Sequence, residues 1–321
     1  MTVIEQPATG AIAPPPKEKT ASLRRDTARN ILRQRSAVIG MIILGTLLVV
    51  AIFAPLIAPF DPYVSMLDTG ETGVKRGQPP CIHLLGCPAD QPQHIMGLDS
   101  NLRDEFSRVV FGARVSLQVG ILTVGFAILI GTTLGAVAGF AGGRTDNLVM
   151  RTLDIVLAFP ALILAIAIVT VLGSGLYQAL IAVAIVSIPI YARVMRGSVI
   201  ATRGREFVTA SRALGESQRG ILTRRILPNS LTPLIVQGTL GIGGAILEVA
   251  ALSFLGLGAQ QPDAEWGSMI GFDRNLFFSA PHLIFFPGIA ITLTVLGFNL
   301  LGDGLRDALD PRLRNAAGAE K

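Results

Sequence analysis

Long, continuous apolar stretches separated by short polar intervals form the main pattern of this 321-residue chain. Each stretch holds about 20 residues or more, which at about 1.5 Å of helical rise per residue crosses a hydrocarbon layer roughly 30 Å thick. Their apolar residues do not alternate as barrel strands do, and helices satisfy their backbone groups within each segment. The pattern predicts six transmembrane helices, at residues 37–58, 115–140, 148–172, 176–194, 231–258 and 283–301.

The composition agrees with a bilayer environment. Hydrophobic residues make up 50% of the chain and charged residues only 15%, and the mean hydropathy is +0.57, whereas soluble domains carry about 25% charged residues. The predicted fold class is therefore an all-α integral membrane protein, a bundle of six helices. We divide it into a disordered cytoplasmic tail (1–30), a first transmembrane helix (31–58), an extracellular segment with an amphipathic helix (59–114), a five-helix core (115–305) that includes a cytoplasmic coupling loop (195–230), and a cytoplasmic tail (306–321).

The basic residues predict the orientation, because short cytoplasmic loops of membrane proteins are rich in Arg and Lys. With both termini inside, the cytoplasm receives Arg24, Arg25, Arg29, Arg33, Arg35, Arg144, Arg151, the cluster 193–225, Arg306, Arg312 and Arg314. The outside keeps fewer, namely Lys75, Arg76, Arg103, Arg108, Arg114 and Arg274. This bias explains the net charge of +5 and the pI near 9.7, so we predict no nucleic-acid partner.

The N-terminal tail is too polar to bury a core and carries Pro14, Pro15 and Pro16. The first apolar stretch begins too late and runs too long for the apolar region of a signal peptide, so we expect it to be retained. The outer segment contains the only cysteines, Cys81 and Cys87. Outside the cell they are a candidate disulfide, with free thiols as the alternative. Neither His83 nor His94 has a second ligand pair at metal-site spacing, so no metal site is predicted.

Residues 102–117 place apolar side chains at helical spacing, with Arg103, Asp104, Ser107, Arg108 and Arg114 on the other face. The pattern predicts an amphipathic helix at the outer membrane interface that leads into the second span. Two roles remain open for it, a linker turn held by membrane contact and a lip around a substrate entrance.

A 37-residue polar interval rich in arginine, from Arg193 to Asn229, separates the fourth and fifth spans. Ala210 and Ala213 allow another surface to approach, and Gly215 permits a sharp turn between two short helices. Pro228 lacks an N–H and is expected to stop the second helix before the fifth span. We expect a stiff lever whose arginines pair with acidic groups of a partner; the alternative is a solvated positive loop.

The chain lacks the motifs of an enzyme. Its lysines are Lys17, Lys19, Lys75 and Lys321, and no G-x-x-x-x-G-K-[ST] sequence is present, so it forms no phosphate-binding loop. H-E-x-x-H and G-x-S-x-G are absent as well. We predict no catalytic residue and no cofactor in this chain.

Polar residues inside the spans are candidates for the pathway or for helix packing. Glu248 lies in a glycine-rich stretch of the fifth span, where it either contacts the amino group or backbone of a peptide or acts as a buried, hydrogen-bonded acid. In the fourth span, Ser187, Pro189 and Tyr191 offer a kink and polar lining. Asp154 and Asp303 are expected at helix contacts or interfaces.

Four sequence blocks carry a family resemblance. The first is HIMGLDS at 94–100, together with the charged and small residues that follow it to 117. The second is LSFLGLG at 252–258, with Pro262 and EWG at 265–267. The third is Pro287, Gly288 and NLLGDGLRD at 299–307, with DPR at 310–312, and the fourth is the polar interval. Over about residues 30–314 the chain resembles the C-type permease of dipeptide and oligopeptide ABC importers, with the nickel importers as relatives.

In that family the polar interval carries a motif of the form E-A-A, three residues, G, nine residues, I-x-L-P. Here Thr209, Ala210, Ser211, Gly215, Leu227 and Pro228 occupy its places. Thr209 replaces the Glu, Ser211 replaces an Ala and Arg225 stands where Ile is usual, while Glu206 is a substitute for the missing carboxylate. The resemblance implies that these residues form the ATPase-coupling loop.

The resemblance also implies a bundle like that of type I ABC importer permeases, in a bacterial cell membrane. It implies a homologous second permease, one or two ABC ATPase subunits that bind ATP and Mg²⁺, and an extracellular peptide-binding protein. Two alternatives remain: a permease for nickel or another small solute, and a channel or carrier that works without ATP.

Overall fold

The computed structural model describes residues 31–32, 34–88 and 91–309. Over these residues the chain is helical, and its only β structure is two isolated bridges, Cys81 with His94 and Leu98 with Asp104. Five helices are long and apolar enough to cross a membrane, and a bent pair brings the number to six. The predicted N-terminal tail (1–30) and residues 310–321 of the predicted C-terminal tail lie outside the described residues.

The helices follow in the order α1 (Arg35–Ile52), α2 (Ala54–Ile57), α3 (Glu105–Ala141), α4 (Gly143–Leu157), α5 (Ala161–Leu172), α6 (Leu176–Arg203), α7 (Glu206–Ala213), α8 (Gln218–Gly220), α9 (Leu227–Ser230), α10 (Thr232–Phe254), α11 (Trp266–Asp273) and α12 (His282–Leu309). A π-helical segment, Ile221–Ile226, joins α8 to α9. Short 3₁₀ turns occupy His83–Leu85 and Arg274–Leu276.

Helices α3, α6 and α10 form the centre of the bundle. Gly131, Gly135 and Gly139 on α3 face the backbone of α6, where an added Cβ would clash with Tyr191, Ala192 and Arg196. Small residues at four-residue spacing let two helices approach closely in lipid. α12 packs against α10 and α1, and Gly304 of α12 lies against Ala37 of α1.

The stretch at 148–172 is not one straight span. It forms α4 and α5, which meet at an angle of 89° around residues 158–160. Pro160 lacks an N–H and disfavours helical geometry at the preceding residue, which explains the break. α5 has 12 residues, about 18 Å of helix, and is too short to cross a bilayer alone.

The amphipathic helix expected at the outer interface also needs correction. α3 starts at Glu105 and continues without a break to Ala141, so the predicted interfacial helix is the outer end of the second span. Most of its polar face is covered by protein, since Arg103, Asp104, Ser107 and Arg108 are buried, and only Arg114 of the predicted polar face is exposed. The helical period is as predicted, but protein rather than the membrane surface covers these four polar residues.

Candidate functional site

The first part of the polar interval, from Arg193 to Arg203, continues α6, and from residue 204 onward the interval folds into two short helical arms joined at Gly215. The first arm is α7, and Gly215 follows it with a φ of 81°. The N–H of Gly215 donates to the Arg212 carbonyl and that of Glu216 to the Ser211 carbonyl, both at 3.1 Å. This pair of bonds with a left-handed glycine is the Schellman helix ending, which glycine adopts at least cost.

One face of α7 is buried and the other is open. Val208 and Ser211 are buried, and Val208 packs with Ile221 and Ile226 of the second arm and with Met195 and Val199 of α6. The candidate residues Glu206, Thr209, Ala210 and Gly215 are exposed, and Leu214 at the turn is 88% exposed. The lever is therefore fixed to the bundle on one side and free to contact a partner on the other.

The second arm contradicts the expectation that Pro228 stops a helix. Ser217 caps α8 by accepting a bond from the Gly220 N–H at 3.2 Å, the π segment follows, and α9 continues past Pro228 to Ser230. Because Pro228 stands in the first turn of α9, where helices tolerate a missing N–H, the chain remains helical. Leu227 is half-buried and Pro228 is exposed.

Several arginines of the interval bind this chain rather than a partner. Arg196 forms two bonds to Asp146, at 2.5 and 2.6 Å, and Arg193 bonds to Asp154 at 2.5 Å, so both tie α6 to α4. Arg203 donates to the carbonyls of Gly139 and Phe140 at the end of α3, where a helix dipole favours a positive charge.

Arg225 pairs with Glu216 at 3.0 Å across the turn. Within the part of the chain that the structure describes, Arg205, Arg212, Arg219 and Arg224 form no ion pair. All four of these arginines are exposed. The apolar part of this surface, Phe207 and Leu214, was missed in the sequence, although two large apolar residues in an arginine-rich interval were a usable signal.

The outer segment is held by buried polar contacts. His94 is 0% exposed; its Nδ1 lies 3.0 Å from Asp104 Oδ1 and its Nε2 lies 3.2 Å from Glu71 Oε2. Burial alone lowers the pKa of His94, but the hydrogen bonds to Asp104 and Glu71 outweigh it and raise the pKa above its usual 6.5. Asp104 also caps α3 by accepting a bond from the Ser107 N–H at 2.8 Å.

Arg108 connects three segments of the chain that are far apart in sequence. Its guanidinium donates to the carbonyls of Pro62 at 2.8 Å, Pro262 at 3.1 Å and Asp263 at 3.2 Å. The side chain is 1% exposed, so these bonds replace water. Arg108 thereby joins the outer segment, α3 and the loop before α11.

A disulfide joins Cys81 and Cys87, whose Cα atoms are 5.4 Å apart.

The loop after α10 folds back into the bundle through α11. Trp266 is buried and its Nε1 donates to the Val109 carbonyl of α3 at 3.0 Å, with Gly112 directly against the indole. Glu265 caps α11 by accepting bonds from the N–H groups of Gly267 and Ser268 at 3.0 and 2.9 Å. Burial raises the pKa of Glu265, against the opposing effect of these bonds.

The pathway candidates lie on α6 and α10. Tyr191 is buried, with its hydroxyl directly against Gly241 of α10. Ser187 donates its hydroxyl to the Val183 carbonyl at 2.8 Å, one turn earlier in the same helix. Glu248 is half-buried and has no hydrogen bond or ion pair with the described residues. The structure thus brings Tyr191 and α10 together.

Two family models match the chain. The model described as "Binding-protein-dependent transport system inner membrane component" matches residues 131–315. The model described as "N-terminal TM domain of oligopeptide transport permease C" matches residues 22–80. Between them they include the first span and most of the helical core.

Curated relatives are similar over nearly their whole length. The dipeptide transport system permease protein DppC of Alkalihalophilus pseudofirmus is 46% identical over 94% of this chain and 95% of its own. The di/tripeptide transport system permease protein DppC of Pseudomonas aeruginosa is 43% identical, over 90% and 92%. The glutathione transport system permease protein GsiD of Escherichia coli is 45% identical, over 89% of each chain.

A solved structure shares the fold. A chain of the MetNI methionine ABC transporter in an inward-facing conformation aligns with a TM-score of 0.53 at 18% identity, over 64% of this chain and 98% of that chain. The likeness confirms the predicted all-α bundle of the type I importer permease kind. Together with the family matches, it establishes that this chain belongs to the binding-protein-dependent transport system inner membrane components, with the N-terminal domain of oligopeptide transport permease C.

Proposed function

We propose that this chain is one membrane-spanning half of an ATP-driven importer of di- and oligopeptides. The observation that carries the proposal is the open face of α7 and the Gly215 turn, in a chain of this permease family. The substrate class follows the dipeptide, di/tripeptide and glutathione names of its relatives. Those names disfavour the nickel alternative.

The remaining subunits supply what this chain lacks. A homologous second permease completes the pathway, one or two ABC ATPases bind ATP and Mg²⁺, and a binding protein delivers the peptide from outside. α7 and both termini face the cytoplasm in this arrangement, which agrees with the bias of basic residues. ATP hydrolysis therefore takes place on other polypeptides.

Motion of an ATPase reaches the bundle through the packing behind α7. Val208 sits among Ile221, Ile226 and Met195, and Ser230 of the second arm bonds to Thr202 of α6 at 3.1 Å. Because close-packed side chains transmit displacement, a push on the open face of α7 moves α6 and the start of α10 together. ATP binding by the ATPases would thus open the passage outward, and hydrolysis would return it inward.

Affinity purification with matched variants tests the proposal. The tagged chain is expressed with its second permease and ATPases, extracted in mild detergent and identified with its partners by mass spectrometry. Leu214→Asp and Ala210→Trp alter exposed side chains, so the chain is expected to fold and to lose its ATPases while it keeps the second permease.

Leu84→Asp is the matched control, because Leu84 is 93% exposed on the opposite side of the membrane in this topology; it should retain all partners. ATPase recovery that is equal in all variants would contradict the docking role of α7. Recovery of the chain alone, with solute movement into liposomes in the absence of ATP, would establish the channel or carrier alternative.

A further inference from the structure

A cavity of about 210 Å³ opens at the outer end of α10, between that helix end and the loop that carries α11. Side chains of both elements form its wall. Those that matter for its chemistry are Ser253, Phe254, Gln260, Gln261, Arg274 and Asn275. α10 starts at the coupling loop and ends at this cavity, so in the proposed topology the cavity lies on the face that receives solute from outside.

Several polar groups of the wall are bonded within the chain and fix its shape. Gln260 Nε2 donates to the carbonyls of Gly256 and Gly258, both at 3.0 Å. Ser253 Oγ accepts from the Ala259 N–H at 3.1 Å. These bonds hold the turn after α10, so the cavity is formed by a braced loop.

Two side chains on the wall have hydrogen-bonding atoms that are not paired with a described residue. The side-chain oxygen of Gln261 is buried and accepts no hydrogen bond from the described residues. Arg274 donates from Nη1 to the Gly271 carbonyl at 3.0 Å and forms no ion pair with a described carboxylate. Its neighbour Asp273 accepts a bond from the Ser100 hydroxyl instead. Arg274 is the only charged side chain among the described residues on this wall.

The two groups have complementary requirements. A guanidinium presents parallel N–H donors that match a carboxylate, and a buried carbonyl oxygen without a donor is costly until an N–H reaches it. A peptide end supplies both, a terminal carboxylate and a backbone N–H beside it. The cavity is smaller than the roughly 300 Å³ at which sites for drug-sized ligands begin, which suits a terminal residue better than a whole oligopeptide.

We infer that this cavity binds the carboxyl-terminal end of a peptide, with Arg274 on the carboxylate and the side-chain amide of Gln261, a residue of the cavity wall, turning to accept from a peptide N–H. The inference rests on the proposed function and adds a substrate contact on the permease itself. Phe254 and Phe272, both on the cavity wall and exposed, would contact the terminal side chain. Such a site favours free peptides over peptides that are amidated at their C-terminus.

Direct binding to the assembled complex tests the inference. The permease pair with its ATPases is placed in nanodiscs without the binding protein, and the dissociation constants of alanyl-alanine and of its C-terminal amide are measured by calorimetry. Arg274→Gln should weaken binding of the free dipeptide about tenfold or more, the range of a lost hydrogen bond to a charged group. Binding of the amide should not change, and Arg274→Lys should recover part of the loss.

Arg76→Gln is the matched control, an exposed arginine of the outer segment that is not on the cavity wall. The same dipeptide affinity in wild type and Arg274→Gln, or no dipeptide binding by wild type, would overturn the inference. So would binding of short-chain phosphatidylglycerol that depends on Arg274 while dipeptide binding does not, because the cavity would then hold a lipid headgroup.

ATP-driven dipeptide uptake by the wild-type complex with its binding protein is measured in parallel. If the complex takes up dipeptide but its dipeptide affinity does not depend on Arg274, the inferred peptide site in the cavity is wrong and the proposed function still stands. Failure of ATP-driven uptake counts against the proposed function itself.

Discussion

At the scale of single residues, charged and polar side chains are most informative where they are buried. Asp104 serves both as the cap of α3 and as a partner of His94, and Arg108 donates to three carbonyls far apart in sequence. His94, Asp104 and Arg108 each have partners that replace their lost hydration, which is the condition for burying such groups without a large cost. The outer segment is therefore held by polar contacts as well as by apolar packing.

The stability of the outer segment should depend on pH through His94. Its folded-state pKa is raised because the hydrogen bonds to Asp104 and Glu71 outweigh the effect of burial. The stabilisation is therefore complete below about pH 6.5 and is lost as the pH rises through the raised folded-state pKa. Protection factors, which are the intrinsic exchange rates at each pH divided by the observed hydrogen-exchange rates, are expected to be larger at pH 6 than at pH 9 for residues 59–88 and 91–104.

His94→Gln should abolish this pH dependence. His83→Gln is the control, since His83 is exposed and the hydrogen bond of its ring to a described residue is to the Gln91 carbonyl, at 2.8 Å. Equal pH dependence in the wild type and in His94→Gln would assign the effect to another group.

At the scale of elements, close approach of helix backbones determines how the bundle packs. The glycines of α3 that face α6 leave no room for a side chain, whereas Gly125 on the same helix has no atom of another residue within 4 Å of an added Cβ. In α7, Val208 faces inward, whereas Phe207 and Ala210 are exposed, as is Leu214 just after the helix. The small residues of α3 that face α6 thus mark a helix contact inside this chain.

Gly135→Leu should separate α3 from α6. Its side chain would meet the backbone of Ala192, and overpacking of this kind costs typically about 1–3 kcal/mol. We expect a lower melting temperature in detergent and a smaller yield of monodisperse protein. Gly125→Leu, on the same helix in open space, should match the wild type. A normal melting temperature in Gly135→Leu would mean that the two helices are not packed as the structure places them.

At the scale of the whole molecule, the two ends of the bundle differ in which structural elements cover them. The end with α7 carries exposed arginines and an open helical lever, while the opposite end is closed by the outer segment, α11 and the first turns of α3. Contacts between residues more than 150 positions apart, such as Trp266 with Val109, connect the parts of that closed end. In the proposed function, a firmly joined outer end lets motion at the lever reach the whole subunit.

Arg108→Leu should loosen that outer end. The substitution leaves the carbonyls of Pro62, Pro262 and Asp263 without their donor and removes a partner of Asp99 at 3.5 Å. Breaking a buried charged contact costs about 3–5 kcal/mol. Limited proteolysis from the outside is expected to cut residues 59–104 faster, while cleavage in the 193–229 interval is unchanged.

Arg114→Leu is the matched control for this effect, because Arg114 is an exposed arginine of the same helix. Unchanged proteolysis in Arg108→Leu would show that apolar packing alone holds the outer segment.

The sequence alone determined the membrane class, the approximate places of five spans, the turn at Gly215 and the family, because these depend on local composition, periodicity and motif spacing. It did not determine the 89° bend between α4 and α5, the helical path past Pro228 or the burial of the polar face of α3. A helical period shows which face is polar, but not whether water or a distant segment covers it. Only the tertiary structure decided which arginines are paired within the chain and brought Gln261 and Arg274 to one cavity, since both outcomes depend on contacts between segments.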